Sequence, residues 1–214
     1  FATYGEYLYA KHSLGDDDGA LNLMEKRNVY LEEARTKYQR PIVWDGWQTP
    51  NQNFDRHTYQ KGAAVLHMLR WILGDDPFRK AVTRLLEKHA CSTADARDFL
   101  AAIRETSGQS LEAFFGQWIY RAGHPVFEVS WAWLESERTA RLKVVQGQGP
   151  LFETPVDIGI VSAAGKKVHR LRIAAKREQQ FDIACDSKPR LVRFDEGDQD
   201  RKSTRLNSSH ITIS

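Results

Sequence analysis

The hydrophobic period of this chain changes once, at Pro125, and that change limits it to a two-part architecture. Before Pro125 the apolar residues recur at helical spacing. Leu111, Phe114, Phe115, Trp118 and Ile119 stand at i, i+3, i+4, i+7 and i+8, which places them on one helix face. After it, Phe127, Val129, Trp131 and Trp133 alternate with Val126, Glu128, Ser130 and Ala132, the two-residue repeat of a strand. The expected class is α+β, helical up to a boundary near Gly123-His124 and a small antiparallel sandwich beyond it.

Six helices are expected in the first part. One runs from Phe1 to about Leu14, with Gly15 as its stop. Asp16-Asp17-Asp18-Gly19 reads as a turn; the ligands of a calcium loop do not follow it. Ala20 to Tyr38 is a more polar helix, with Leu21, Met24, Val29 and Leu31 as its apolar contacts. Residues 40–55 are irregular, and Trp44 and Trp47 there either line a pocket or lid the core. The third helix starts around Thr58-Tyr59, carries apolar residues at 62, 65, 66, 69, 72 and 73, and ends at Gly74. Gly62, Ala63 and Ala64 make its first turn thin enough for another backbone to approach. Asp76-Pro77 opens the fourth, Thr93 caps the fifth, and Ser110 caps the sixth, which Gly123 closes. Taken alone, Tyr59 reads as an amphipathic residue at a helix start with a satisfied hydroxyl.

Beyond Pro125, strands are expected at 127–133, 141–146, 155–162, 167–174, 180–185 and 190–194. Ala163-Ala164-Gly165 forms a hairpin loop between two of them.

Composition narrows the function. With 214 residues, 41% hydrophobic and 28% charged, the chain has the make-up of an ordinary globular protein, and no apolar run is long enough to span a membrane. It opens on Phe1 without a Met, so its true N-terminus is expected to be missing. Residues 200–214 look like an in-frame translation of a sequencing-library adapter and are set apart as non-native. They carry three of the 31 Lys and Arg and one of the 28 Asp and Glu. The remainder has a net charge of +1, which removes the case for a nucleic-acid partner. Cys91 and Cys185 are read as two buried reduced thiols. No pair of the seven histidines has the i, i+4 spacing of a helical zinc site.

Three segments then coincide. Phe1-Ala2-Thr3-Tyr4-Gly5-Glu6-Tyr7 resembles the continuation of the NEGFATYxE signature of M1-family zinc aminopeptidases. Tyr59-Gln60-Lys61-Gly62-Ala63 is similar to that family's YxKGA segment, and Phe114-Phe115-Gly116-Gln117-Trp118 with Gly123-His124-Pro125 to its FFxQW…GHP junction. Order and spacing agree over essentially residues 1–199, and Phe54-Asp55-Arg56-His57 ahead of the tyrosine is most like bacterial members.

The resemblance implies a gluzincin. Residues 1–123 would be the all-helical C-terminal half of a thermolysin-like catalytic domain, and 124–199 an antiparallel β-sandwich domain. It implies hydrolysis of N-terminal residues from peptides with a free N-terminus, by a zinc-activated water. The family's HExxH helix, its GxMEN amine-binding loop and the third-ligand Glu of NEGFA would all lie before Phe1, so no metal ligand is identified here. The chain is therefore expected to be a catalytically incomplete fragment.

Two site residues carry over. Tyr59 matches the tyrosine whose phenol stabilises the oxyanion of the tetrahedral intermediate. Glu6 matches the signature's second glutamate, seven positions after the missing ligand, and suits an acceptor that orients a zinc-bound histidine; the alternative is a surface pair with a nearby base. His57, Lys61 and His124 are read as local structure. A non-catalytic scaffold on the same fold is the alternative function, and an epoxide-hydrolase-like member is disfavoured by the YQKGA form.

Overall fold

The computed structural model describes residues 1–196 and the backbone of 204–206. The remainder of the adapter-like segment 200–214 lies outside the described residues. The chain divides into two compact units, Phe1–Gly123 and His124–Ser214.

The first unit holds six α-helices: α1 (Ala2–Leu14), α2 (Asp16–Thr36), α3 (Gly62–Leu73), α4 (Asp75–Lys88), α5 (Ala96–Ser107) and α6 (Glu112–Trp118). Single glycines join α1 to α2 and α3 to α4. Gly15 and Gly74 adopt φ values of 110° and 89°, a region that costs other L-residues strain, so each glycine permits a sharp reversal with no further loop. The core gathers Tyr4 and Tyr7 of α1, Leu69 of α3, Phe78 and Leu85 of α4, Ile103 of α5 and Phe115 of α6.

Several helix starts differ from expectation, each for a local reason. Asp16, Asp17 and Asp18 are not a turn but the first turn of α2, where carboxylates meet the positive end of the helix dipole. Buried positions on α2 are Leu23, Tyr30, Leu31 and Ala34, whereas Leu21, Met24 and Val29 are exposed. The face turned inward is chosen by what Tyr30 packs on, which hydrophobicity along one helix does not encode. Helix α4 begins one residue before Asp76, and the Asp75 carboxylate receives Nε and Nη2 of Arg70 at 2.7 and 2.8 Å. Asp95, not Thr93, caps α5: its Oδ1 accepts from the N–H groups of Arg97 and Asp98 at 2.7 and 3.1 Å, and Asp98 answers from the Asp95 N–H at 2.8 Å. Ser110 gives its hydroxyl to Glu112 rather than to backbone, and α6 starts after Leu111. It ends at Trp118 rather than running to Gly123. Beyond it the Ile119 carbonyl accepts from the N–H groups of Ile42 and Val43 at 2.9 and 3.2 Å, so that segment is tied to the 40–55 loop.

The second unit is a sandwich of two sheets. β1 (Phe127–Leu134), β2 (Thr139–Gln146) and β5 (Glu178–Ala184) are antiparallel neighbours in the order β5-β2-β1; β3 (Thr154–Ser162), β4 (Gly165–Ile173) and β6 (Leu191–Phe194) form the other sheet in the order β4-β3-β6. In-facing residues of both meet in one core, including Phe127, Leu142 and Val144 of the first sheet and Val156, Ile158 and Phe194 of the second. The β3–β4 hairpin pairs Ser162 with Gly165 across Ala163-Ala164, a tighter loop than the three residues expected. Exposed β4 carries Lys166, Lys167, Arg170 and Arg172, charges that discourage edge-to-edge association. Backbone 204–206 (β7) lies parallel to the free edge of β1, an edge that any extended segment can occupy.

The cysteines are both free, Cys91 exposed and Cys185 half-buried. That corrects the expectation of two buried thiols: Cys91 sits with φ 58° in the turn after α4, where no core reaches it.

Candidate active site

Tyr59 lies on a π-helical turn, His57–Lys61, that leads directly into α3. The turn is set by the Lys61 N–H, which reaches back to the Arg56 carbonyl at 2.9 Å. Such a wide turn inside a helix is uncommon and recurs at functional sites. It alternates side chains sharply: His57 and Lys61 are fully buried, while Tyr59 between them is 38% exposed. Among the described residues the Tyr59 phenol makes no hydrogen bond. Its one ring neighbour, Phe54 at 6.1 Å, is itself exposed. The hydroxyl is not satisfied internally, which corrects the reading drawn from Tyr59 taken alone.

Beneath the turn sits a polar cluster that sequence reading passed over. Asp55 accepts from Nε and Nη2 of Arg40 at 2.7 and 2.6 Å, from the Tyr38 hydroxyl at 3.1 Å and from the Thr58 N–H at 2.9 Å. Burial opposes ionisation of Asp55, but the Arg40 fork and the Thr58 N–H outweigh it and hold its carboxyl below the ordinary range. Arg40 Nη2 also donates to Thr58 Oγ1 at 2.8 Å, and Nη1 to the carbonyls of Pro41 and Ile42 at 2.7 and 3.1 Å. The Trp44 ring lies 5.2 Å from that guanidinium. Trp44 therefore lids the buried pair, and Trp47 is exposed. Glu33 of α2 accepts the Arg56 N–H at 2.8 Å. An Asp three residues ahead of Thr58 is a capping signal legible in sequence; Arg40 and Glu33 carry none.

His57 is enclosed by rings, stacked on Tyr38 and edge-on to Tyr30, both at 5.2 Å. Burial drives its pKa down. Lys61 is also enclosed, with no hydrogen-bond partner among the described residues and its Nζ 6.0 Å from the Tyr30 ring. Burial first, then the charges of Arg40 and Arg121, lower its pKa to about 8.

Glu33, Asp55 and His57 form the one cluster of potential metal ligands found among the described residues. It does not suit a zinc ion. Both Asp55 oxygens already hold the Arg40 guanidinium, and a second cation there would meet that fixed positive charge at close range.

Glu6 is distant in kind from this cluster. It is on α1, its side chain is 62% exposed, and it accepts from Lys26 Nζ at 2.7 Å. Beside the π turn opens a mainly apolar groove of about 530 Å³, lined by Phe1, Thr58, Gly62, Leu66, Phe99 and Ile119 among others. A Cβ at Gly62 would touch nothing within 4 Å, so the thin first turn of α3 faces this groove rather than a packed backbone.

The fold matches the crystal structure of Legionella pneumophila aminopeptidase A in complex with aspartic acid, with a TM-score of 0.67 at 17% identity over 89% of this chain and 23% of that one. The family model described as the peptidase family M1 domain matches residues 1–118, and the chain belongs to that family. Among curated proteins it is 31% identical over 177 residues to tricorn protease-interacting factor F2 of Thermoplasma volcanium, covering 78% of this chain and 22% of that protein. It is 27% identical over 212 residues to probable aminopeptidase 1 of Saccharolobus solfataricus, covering 97% and 25%. The chain thus spans about a quarter of the length of these relatives. No described helix is long and apolar enough to cross a membrane.

Proposed function

We propose that the protein to which this chain belongs is a zinc-dependent aminopeptidase that removes N-terminal residues from peptides, and that Tyr59 donates its phenolic hydrogen to the oxyanion of the tetrahedral intermediate. The observation that carries the reading is the Tyr59 side chain itself: held on a fixed π turn, open to solvent, with no partner for its hydroxyl among the described residues. Family membership supplies the reaction class. A phenol so placed matters where charge develops, because a donor aimed at the transition state lowers the barrier without tightening substrate binding.

Zinc and the group that activates water are assigned to parts of the parent that this chain does not include. The 214 residues alone are accordingly read as inactive. In the full-length enzyme, Tyr59→Phe is expected to lower kcat by about 10² to 10³ while KM changes little. A raised KM with unchanged kcat would make Tyr59 a binding residue instead.

Glu6 is proposed as an acceptor behind a zinc-bound histidine of the parent, the present pair with Lys26 holding its carboxylate in place. Zinc retained by full-length Glu6→Gln and Lys26→Ala proteins after dialysis separates the two roles. Orientation of a ligand predicts metal loss in the Glu6 variant above all; a plain surface pair predicts full zinc content in both. Stoichiometric zinc in the unmodified enzyme would also exclude a non-catalytic scaffold.

A further inference from the structure

The Tyr59 phenol has no polar anchor among the described residues, so its position is fixed by the backbone that carries it. That backbone is fixed from below. A helix start leaves its first N–H groups without partners, and at this one two buried carboxylates accept them, Asp55 from Thr58 and Glu33 from Arg56. Asp55 also supplies its carbonyl to the Tyr59 N–H at 3.2 Å. What holds Asp55 is Arg40, through two fork-like bonds, and the same Nη2 that reaches Asp55 reaches the Thr58 hydroxyl. The opposite arm of the guanidinium binds the carbonyls of Pro41 and Ile42. Ile42 is tied in turn to the Ile119 carbonyl at 2.9 Å.

We propose that Arg40 and Asp55 are positioning residues for Tyr59, their buried pair clamping the π turn so that the phenol is presented at one height above it. The inference rests on the assignment of Tyr59 as the oxyanion donor. Neither residue touches substrate in this scheme. An arginine is required for its planar fork, which a lysine cannot reproduce.

The test is a double-mutant cycle in the full-length enzyme. Asp55→Asn and Arg40→Lys are each expected to lower kcat by roughly 10- to 100-fold, since a displacement of about 1 Å in a catalytic group costs about that much, with KM within about twofold of the parent value. In a Tyr59→Phe background the same substitutions should cause no further loss, because the group they position is gone. Thr58→Val, which removes only the hydroxyl that Arg40 holds, guards against misfolding of the charged variants. It should lower kcat a few-fold beside Tyr59 and not at all beside Phe. Unchanged kcat in the single variants overturns the proposal, as does a loss of equal size in both backgrounds. If Tyr59→Phe alone leaves kcat unaltered, the oxyanion assignment fails first, and the clamp with it.

Discussion

Lys61 shows how much a single residue can set against the stability of its own fold. An ammonium in a fully buried position, with only the face of Tyr30 as partial compensation among the described residues, favours its neutral form, and its pKa falls from 10.5 to about 8. The unfolded chain keeps the ordinary value and so binds the proton more tightly. Between about pH 8 and the unfolded pKa the unfolded state therefore holds more protons, and stability rises with pH through that window. Below it the full penalty applies, on the order of 3 kcal/mol. Lys61→Met keeps the stem and removes the charge. It is expected to raise the urea midpoint at pH 7 and to abolish much of the gain between pH 7 and 9.5. A wild-type midpoint that is flat over that range, or a variant destabilised at pH 7, would show that the ammonium is paired in solution.

Helix ends are decided at the next scale up. Both Thr93 and Asp95 are acceptable caps by residue type, and choosing between them requires the φ of the residue and the position of the following N–H groups. Asp95 adopts extended backbone and its carboxylate meets both donors, with Asp98 completing the reciprocal bond. Asp95→Ala should therefore cost about 1 kcal/mol, as loss of a side-chain cap typically does. Thr93→Ala should change stability by less than about 0.5 kcal/mol, the usual range for a surface site without such a role. Urea unfolding at unchanged m-value measures both; equal effects would place the helix start elsewhere. The same scale explains α2. Its hydrophobic residues are few and spread around the cylinder, so burial of Tyr30 and Glu33 follows from the π turn they face and not from any stripe along the helix.

At the scale of the molecule, the chain has a helical unit, a sandwich unit and a turn that presents Tyr59, but no cluster among its described residues that suits zinc. The expected outcome is that the 214-residue chain, purified and supplied with zinc, releases no chromogenic amine from aminoacyl substrates. Measurable, chelator-sensitive release by a homogeneous preparation would mean that the ligands proposed to lie elsewhere are in this chain.

Order and type of the elements were legible in the sequence because they rest on short-range physics. A period of 3.6 before Pro125 and of 2 after it needs only neighbouring residues to be seen. Gly15 and Gly74 mark helix ends because positive φ, or freedom to adopt it, is a property of the residue itself. The motif around Tyr59 was equally visible, and with it the family. Which face of α2 turns inward, which residue caps α5, and what lies beneath Tyr59 were decided only by the tertiary structure. Arg40, Asp55 and Glu33 stand up to 22 positions apart in sequence, and nothing local announces that the Arg40 guanidinium will hold Asp55 and Thr58 or that Glu33 will accept the Arg56 N–H of the same turn. Their meeting is a long-range event, fixed when the loop after α2 closes over the start of α3. Sequence therefore named Tyr59; the fold supplied the buried groups that hold its turn.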